Sequence, residues 1–318
     1  MAASARWGNG EVPPSETARC TFTVEQYLYG VTVNAKCEQG HGAGEHRESV
    51  AERISLLIDA FDASSPTLTL SQLTERCGLP KSTVHRMADQ LVDLRWLERA
   101  PTGYRLGIRF FEIGGLVTAR NHLRERALPW LTDLQATTGC SVHLGLLEGN
   151  DVVILEKMWG HGTASLPTRV GGRMPAYCTA TGKALLAFAG EARIEEAITA
   201  GLVARTGHTI VVPEVLRAEL ARVRDAGWAL ETEENVRGLA CVAAPIRGAG
   251  RAVAAVSVSG PVERVEVSRV APVVRRTAMD IWGQLFSRRP TEAPAKPAEA
   301  WDDQRVRQWL GLGPDDWM

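Results

Sequence analysis

The sequence predicts an α+β protein with two domains and terminal extensions, and three observations carry that expectation. The first is size: 318 residues, 45% of them in the hydrophobic class, can fill two cores at about 100–200 residues per domain. The second is a stretch beginning at Ser49 in which three helical periodicities precede a hairpin signal. The third is a stretch over 126–287 with about six strand-like runs, mostly neighbours in sequence, and helices before, between and after them. That order favours a mostly antiparallel six-stranded sheet.

Residues 1–47 read as a flexible extension rich in Gly, Pro, Ser and Glu, with one isolated apolar patch, FTVEQYLYGVTV (22–33). From Ser49, SVAERISLLIDAF places Val50, Ile54, Leu57, Ile58 and Phe61 on one helical face. Ser49 with Glu52 makes a capping-box pattern. ASSPT is a loop. TLSQLTERCG is a second helix, with Thr69 at its start and Gly78 at its end. The third helix starts at Pro80 or Lys81, since proline suits a first turn where its missing N–H costs nothing. Then DLRWLERAPTGYRLG gives two short runs joined by RAPTG, a hairpin. Three helices and a hairpin are the parts of a winged helix-turn-helix over 48–108.

Residues 109–125 read as a connecting helix weakened by Gly114–Gly115, followed by an amphipathic helix on Leu128, Leu131 and Leu134. Phe110, Phe111, Ile113, Leu116 and Val117 exceed what one lone helix can bury, so this segment should also dimerise. In the second domain, SVHLGLLEGNDVVILEKM is a hairpin and ASLPTRV a further short strand. TATGKALLAFA and PEVLRAELARVRDAG are helices. WALETEE, GLACVAAPIRG and RAVAAVSVSG are strands, the last two paired around GAG. VSRVAPVVRRTAMDIWGQLFS is a closing helix. Residues 288–318 form a Pro/Ala-rich tail with one short helical pattern, DDQRVRQWLG.

Charge narrows the function. The chain is nearly neutral, with 36 Lys+Arg against 37 Asp+Glu, so any DNA contact must use local positive charge. From Arg76 to Arg109 seven basic residues face three acidic ones. The excess therefore gathers on the third helix and the wing, as phosphate binding requires. On the third helix Val84, Met87, Ala88 and Leu91 form the apolar face. Lys81, Ser82, Thr83, His85 and Arg86 lie on the other, and Arg99, Tyr104 and Arg105 stand in the wing. Ser and Thr can bond phosphates or bases, and Arg suits guanine. The helix pattern alone fits a solvated face equally well; the turn before it, the hairpin after it and the charge distribution favour double-stranded DNA.

AYCTATGKA (176–184) sets small and hydroxylated residues at a helix start. There the amides of Ala180 and Thr181 can receive a carboxylate, with Thr179 or Thr181 adding a hydroxyl, although a plain helix cap has the same pattern. It is not a P-loop, because Tyr177 stands where the first glycine is needed. Ser257 and Ser259 share one strand face, and Cys241 is on the adjacent strand.

The segments LTLSQLTERCGLPKSTVHRMADQLVDLRWLER, RVGGRMPAYCTATGKALLAF and GLACVAAPIRGAGRAVAAVSVSGP, in this order, resemble the IclR family of bacterial transcriptional regulators. The resemblance covers residues 48–287. It implies a small-molecule-sensing regulator, a homodimer or homotetramer, with a GAF-like effector domain over 126–287. It implies effector contacts from Glu231, Cys241, Ser257 and Ser259, apolar walls from Leu166 and Met174, and backbone contacts at Ala180 and Thr181. Family members with known ligands often carry Asp where Glu231 stands, and some carry Gly–Ala where Ala180–Thr181 stand, so the resemblance implies a site with its own shape. The expected effector is a small carboxylate or phenolic (aromatic) acid.

Other classes are disfavoured. No nucleophile is joined to a base by motif, so an enzyme on a helical scaffold lacks a catalytic constellation. A ligand-binding oligomer without DNA binding is the other alternative. No cofactor or metal is expected: Cys20, Cys37, His41 and His46 lack zinc-site spacing. His143, on an apolar strand, reads as a core or pocket-edge histidine. With no signal peptide pattern, no bilayer-length apolar run and six unpaired-looking cysteines, the expected place is the cytoplasm, with reduced thiols.

Overall fold

A computed structural model describes residues 49–160 and 166–286. The apolar patch at 22–33, the four discounted Cys and His residues and the DDQRVRQWLG segment lie outside the described residues.

The first unit is built by its caps. Helix α1 (Val50–Asp59) starts on Ser49, whose side chain accepts from the Glu52 amide while the Glu52 carboxylate accepts from the Ser49 amide. Thr69 and Gln72 repeat the reciprocal pair for α2 (Leu70–Cys77). Gly78 ends α2 in the left-handed conformation, φ 66°, which glycine adopts without strain. Helix α3 (Lys81–Asp93) follows Pro80. Strands β1 (Thr67–Leu68), β2 (Leu97–Ala100) and β3 (Gly103–Leu106) form a small antiparallel sheet in the order β1-β3-β2. Leu57, Leu73, Val84, Ala88 and Leu97 fill the core between helices and wing.

The link differs from the expected single helix over 109–125. Helix α4 (Arg109–Gly114) is short, the chain breaks at Gly115–Val117, and α5 (Thr118–Thr138) then runs unbroken through Pro129. Proline removes one helix bond, and burial of Ala127, Leu131 and Leu134 against the sheet holds α5 through it.

The second unit is one antiparallel sheet of six strands: β4 (Ser141–Glu148), β5 (Asp151–Met158), β6 (Arg173–Pro175), β7 (Ala229–Thr232), β8 (Leu239–Ile246) and β9 (Ala254–Pro261), in the order β6-β5-β4-β9-β8-β7. Helices α5 and α9 (Val267–Phe286) pack on one face, with Val142, Leu144, Val242, Val256 and Val258 beneath them. The other face carries α6 (Ala180–Leu186) and, outside it, α8 (Pro213–Ala226). Two expectations are corrected. Residues 166–170 of ASLPTRV carry no strand, and the edge strand lies beyond Gly171–Gly172 as β6. A further helix, α7 (Glu191–Thr199), lies between α6 and α8.

Candidate functional site

The outward side of α3 carries Lys81, Ser82, His85 and Arg86 exposed and Thr83 half-buried. Three of the local cations are already matched: Arg76 to Asp62 at 2.7 Å, Arg99 to Asp89 at 2.7 Å and Arg105 to Glu98 at 2.7 Å. His85 Nδ1 shares Asp89 at 3.3 Å. Lys81 and Arg86 form no ion pair among the described residues, so they keep their charge free for an outside anion. Tyr104 corrects the expected set. Its ring is buried in the core, 4% exposed, and its hydroxyl is directed at Asp89 at 3.4 Å. A side chain pointing inward from β3 cannot reach DNA; it props the wing against α3.

The other site is a cavity of about 40 Å³ on the α6 face of the sheet. That is room for about three waters at roughly 10–15 Å³ each. Of the residues expected there, Leu166, Met174, Thr181, Glu231, Cys241, Ser257 and Ser259 line it. Ala180 does not: it is fully buried in the packing of α6 on the sheet. Register explains the convergence. Glu231 pairs with Cys241, Cys241 with Ser259, and Ser257 with His143, so residues of four strands meet on one face.

Glu231 is 5% exposed. Its carboxylate accepts the amides of Glu234 at 2.8 Å and Asn235 at 3.2 Å. Glu233, just before these two residues in the chain, holds a left-handed φ of 59°, a conformation of modest cost for a non-glycine residue, in the turn that presents both amides. Burial outweighs these bonds and pushes the Glu231 carboxyl up to about 7. The Cys241 thiol bonds Ser259 Oγ at 3.0 Å, and burial pushes it up to about 12; it is a polar wall, not a nucleophile. Among the described residues the buried Ser257 Oγ has no hydrogen bond of ordinary geometry, and the Cys241 thiol is its polar neighbour.

His143, expected in the core or at a pocket edge, and Thr179, expected as a hydroxyl beside the α6 amides, also line the cavity, and so do Thr168 and Asn235, which sequence reasoning passed over. His143 Nε2 meets Thr168 Oγ1 at 2.9 Å. Burial, with Lys157 nearby, lowers the imidazole to about 3, so it is neutral. Lys183 was also missed. It is 1% exposed on α6, with Glu234 at 2.5 Å and Glu219 at 3.5 Å. This ion cluster fixes the loop after β7 to α6. A lysine inside the otherwise apolar TGKALL run was the available signal. Among the described residues no group of three or more His, Cys, Asp or Glu could hold a metal ion, and no helix is long and apolar enough to cross a membrane.

Comparison with known proteins agrees with this geometry. Residues 50–101 match the model of the IclR helix-turn-helix domain, and residues 115–282 that of the bacterial transcriptional regulator IclR C-terminal domain. The HTH-type transcriptional regulator XynR of Escherichia coli is 35% identical over 225 residues, 69% of this chain and 89% of XynR. An IclR homologue from Microbacterium hydrocarbonoxydans, solved in complex with 4-hydroxybenzoate, superposes with a TM-score of 0.69 at 31% identity, over 74% of this chain and 99% of that one. The IclR of Thermotoga maritima gives a TM-score of 0.60 at 29% identity, over 74% and 96%. The chain has the family's helix-turn-helix and its C-terminal effector domain in the family's order, and it belongs to the IclR family of bacterial transcriptional regulators.

Proposed function

We propose that this regulator binds a two-fold operator as a homodimer or homotetramer and that a small aromatic or carboxylic acid in the cavity sets its operator affinity. The observation that carries the effector half is the cavity itself: polar groups from four strands, Ser257 Oγ among them, converge on a hole with apolar walls at Leu166 and Met174. Buried polar groups want partners, and an acid bearing a hydroxyl supplies both donors and acceptors. Among the described residues no Lys or Arg lines the cavity. Hydroxyls and amides would meet a ligand's acidic end, and Glu231 would accept from its hydroxyl. The 4-hydroxybenzoate held by the Microbacterium homologue has this chemistry. Because the cavity is small as it stands, its wall must open by several ångströms to admit a ring.

The DNA half rests on α3. Lys81 and Arg86 carry free charge, with Ser82, Thr83 and His85 beside them, while Arg99 and Arg105 must exchange a carboxylate for phosphate. A gel shift with the promoter DNA adjoining the chain's own gene tests it at moderate salt. Retardation is expected, with Arg86→Ala costing about 1–3 kcal/mol, the range of a good base contact. A thermal-shift screen of small carboxylates and phenolic acids tests the effector half. A ligand at about 100 times its Kd should stabilise by about 2.7 kcal/mol. No retardation, or no acid raising the midpoint, removes the corresponding half.

A further inference from the structure

The cavity wall and helix α5 lie on opposite faces of the six-stranded sheet, and one irregularity in β5 sits between them. The β4–β5 register shifts so that Leu144 faces Glu156 while Gly145 faces Ile154, leaving Leu155 as an extra residue. Side chains alternate along a regular strand, and an inserted residue reverses the alternation beyond it. Val152 and Ile154 pack on the α6 side, and Leu155 packs on the side of α5 and α9. Past the bulge, Glu156 shares the face of Leu144, toward α5, and Lys157 shares the face of His143, toward the cavity. A regular β5 would send each to the opposite face.

Both side chains then make a specific attachment. Lys157 Nζ donates to the carbonyls of Thr168 at 2.7 Å and Leu166 at 3.4 Å, and it lies 3.5 Å from the centre of the Trp159 ring. Leu166, Pro167 and Thr168 form one wall of the cavity, so this ammonium group fastens both ends of that wall. On the other face Glu156, 6% exposed, receives Arg124 Nε of α5 at 2.6 Å. Its second oxygen accepts the backbone amide of Lys157 at 2.9 Å. The carboxylate that anchors α5 is therefore bonded to the backbone of the residue that holds the wall.

We infer that the pair Glu156–Lys157, just past the bulge at Leu155, couples the cavity wall to α5, with Lys157 and Glu156 as positioning residues on the two faces of the sheet. Its regulatory meaning rests on the cavity being the effector site; the mechanical coupling needs no ligand. When the wall opens, Lys157 loses its two carbonyls and its backbone is freed to shift. Glu156 shifts with it, and Arg124 carries the change to α5, whose N-terminal end adjoins the break at Gly115–Val117. Leu155, the extra residue next to Glu156, has no ladder partner, so β5 can yield there. Coupling of this kind is reciprocal, so disturbing α5 must loosen the wall.

Hydrogen–deuterium exchange on the full-length chain without ligand tests it, because amide exchange reports local opening. Arg124→Gln should speed exchange about tenfold in residues 166–172, across the sheet from the substitution, as well as in α5. Lys157→Met should do the same in residues 122–128 of α5 as well as in the wall. The double variant should fall short of the product of the two single effects. Effects confined to the substituted face, with a multiplicative double variant, would overturn the inference. If Arg124→Gln fails to fold by circular dichroism, the isosteric Glu156→Gln takes its place under the same criterion, with Arg124→Lys expected near wild type. Failure of the regulator reading would show separately, as wild-type protein that does not retard DNA.

Discussion

Glu231 and His143 face one cavity and oppose each other in pH dependence. The carboxyl of Glu231 rises from an ordinary 4.5 to about 7 in the folded chain. Between those values the native state holds more proton than the unfolded one, so its contribution to stability is full below pH 4.5 and is lost as pH rises through 7. The imidazole of His143 falls from 6.5 to about 3. Its contribution is full above pH 6.5 and is lost as pH falls through 3. The two slopes partly cancel between pH 4.5 and 6.5, so the wild-type curve alone does not separate them. Glu231→Gln does. Glutamine keeps an oxygen for the amides of Glu234 and Asn235 and has no proton to lose. The midpoint of Glu231→Gln minus that of wild type should be near its minimum at pH 4.5 and climb to a plateau above pH 7, as measured by thermal denaturation in matched buffers. A difference that is flat with pH would mean that folding leaves the proton affinity of this carboxyl unchanged.

Helix α6 shows how one position can decide the seating of an element. Alanine for glycine inside a helix ordinarily stabilises by about 0.5–1 kcal/mol. At Gly182 a Cβ would sit 2.1 Å from the Ala176 carbonyl oxygen and 2.3 Å from its Cα, and backbone cannot rotate aside as a side chain can. Overpacking costs about 1–3 kcal/mol or more, so the contact wins. Gly182→Ala should lower unfolding free energy by about 2 kcal/mol in urea denaturation, whereas an unchanged or raised stability would show that α6 has slack against the sheet. Elements whose signals are local were legible in the sequence. Ser49 with Glu52 and Gly78 after Cys77 each sit within a turn of the end they mark. Helix α7 was not legible: Gly190 before it offers no side-chain cap, and it buries only Ile194 and Ala197. Strand β6 was misplaced because the run around Pro167 looks more strand-like than RMP, yet it is RMP that pairs with β5. Nor could the β5 bulge be read, since periodicity within one strand does not reveal the register of its partner. The cavity set followed from resemblance more than from pattern, and the burial of Tyr104 was not legible because chemical type does not say which way a residue points. Lys183 and Glu234 are 51 residues apart, and no short-range rule pairs them.

At the scale of the whole molecule the apolar segment between the two units is exposed among the described residues. Ile108, Phe111, Leu116 and Val117 are 54%, 80%, 74% and 45% exposed. Phe110, which belonged to the same expected face, instead packs edge-on against Trp96 with ring centres 4.9 Å apart, which ties α4 to the wing. An apolar cluster of this kind marks an association site more often than a solvated surface. A second copy is the partner that a two-fold operator requires, because it places two recognition helices one helical turn of DNA apart. Joining two half-site contacts raises overall affinity by about 10²–10⁴ without any new contact to DNA. Phe111→Glu together with Leu116→Glu should therefore give a monomer in analytical ultracentrifugation and weaken operator retention by about 10² or more. Neither substitution touches α3 or the unit's core, so retention of a single half-site should stay as weak as it is in the wild type. If the doubly substituted protein sediments as a dimer with operator affinity intact, this segment is not the dimer contact, and the pairing of recognition helices must come from a surface on the effector domain.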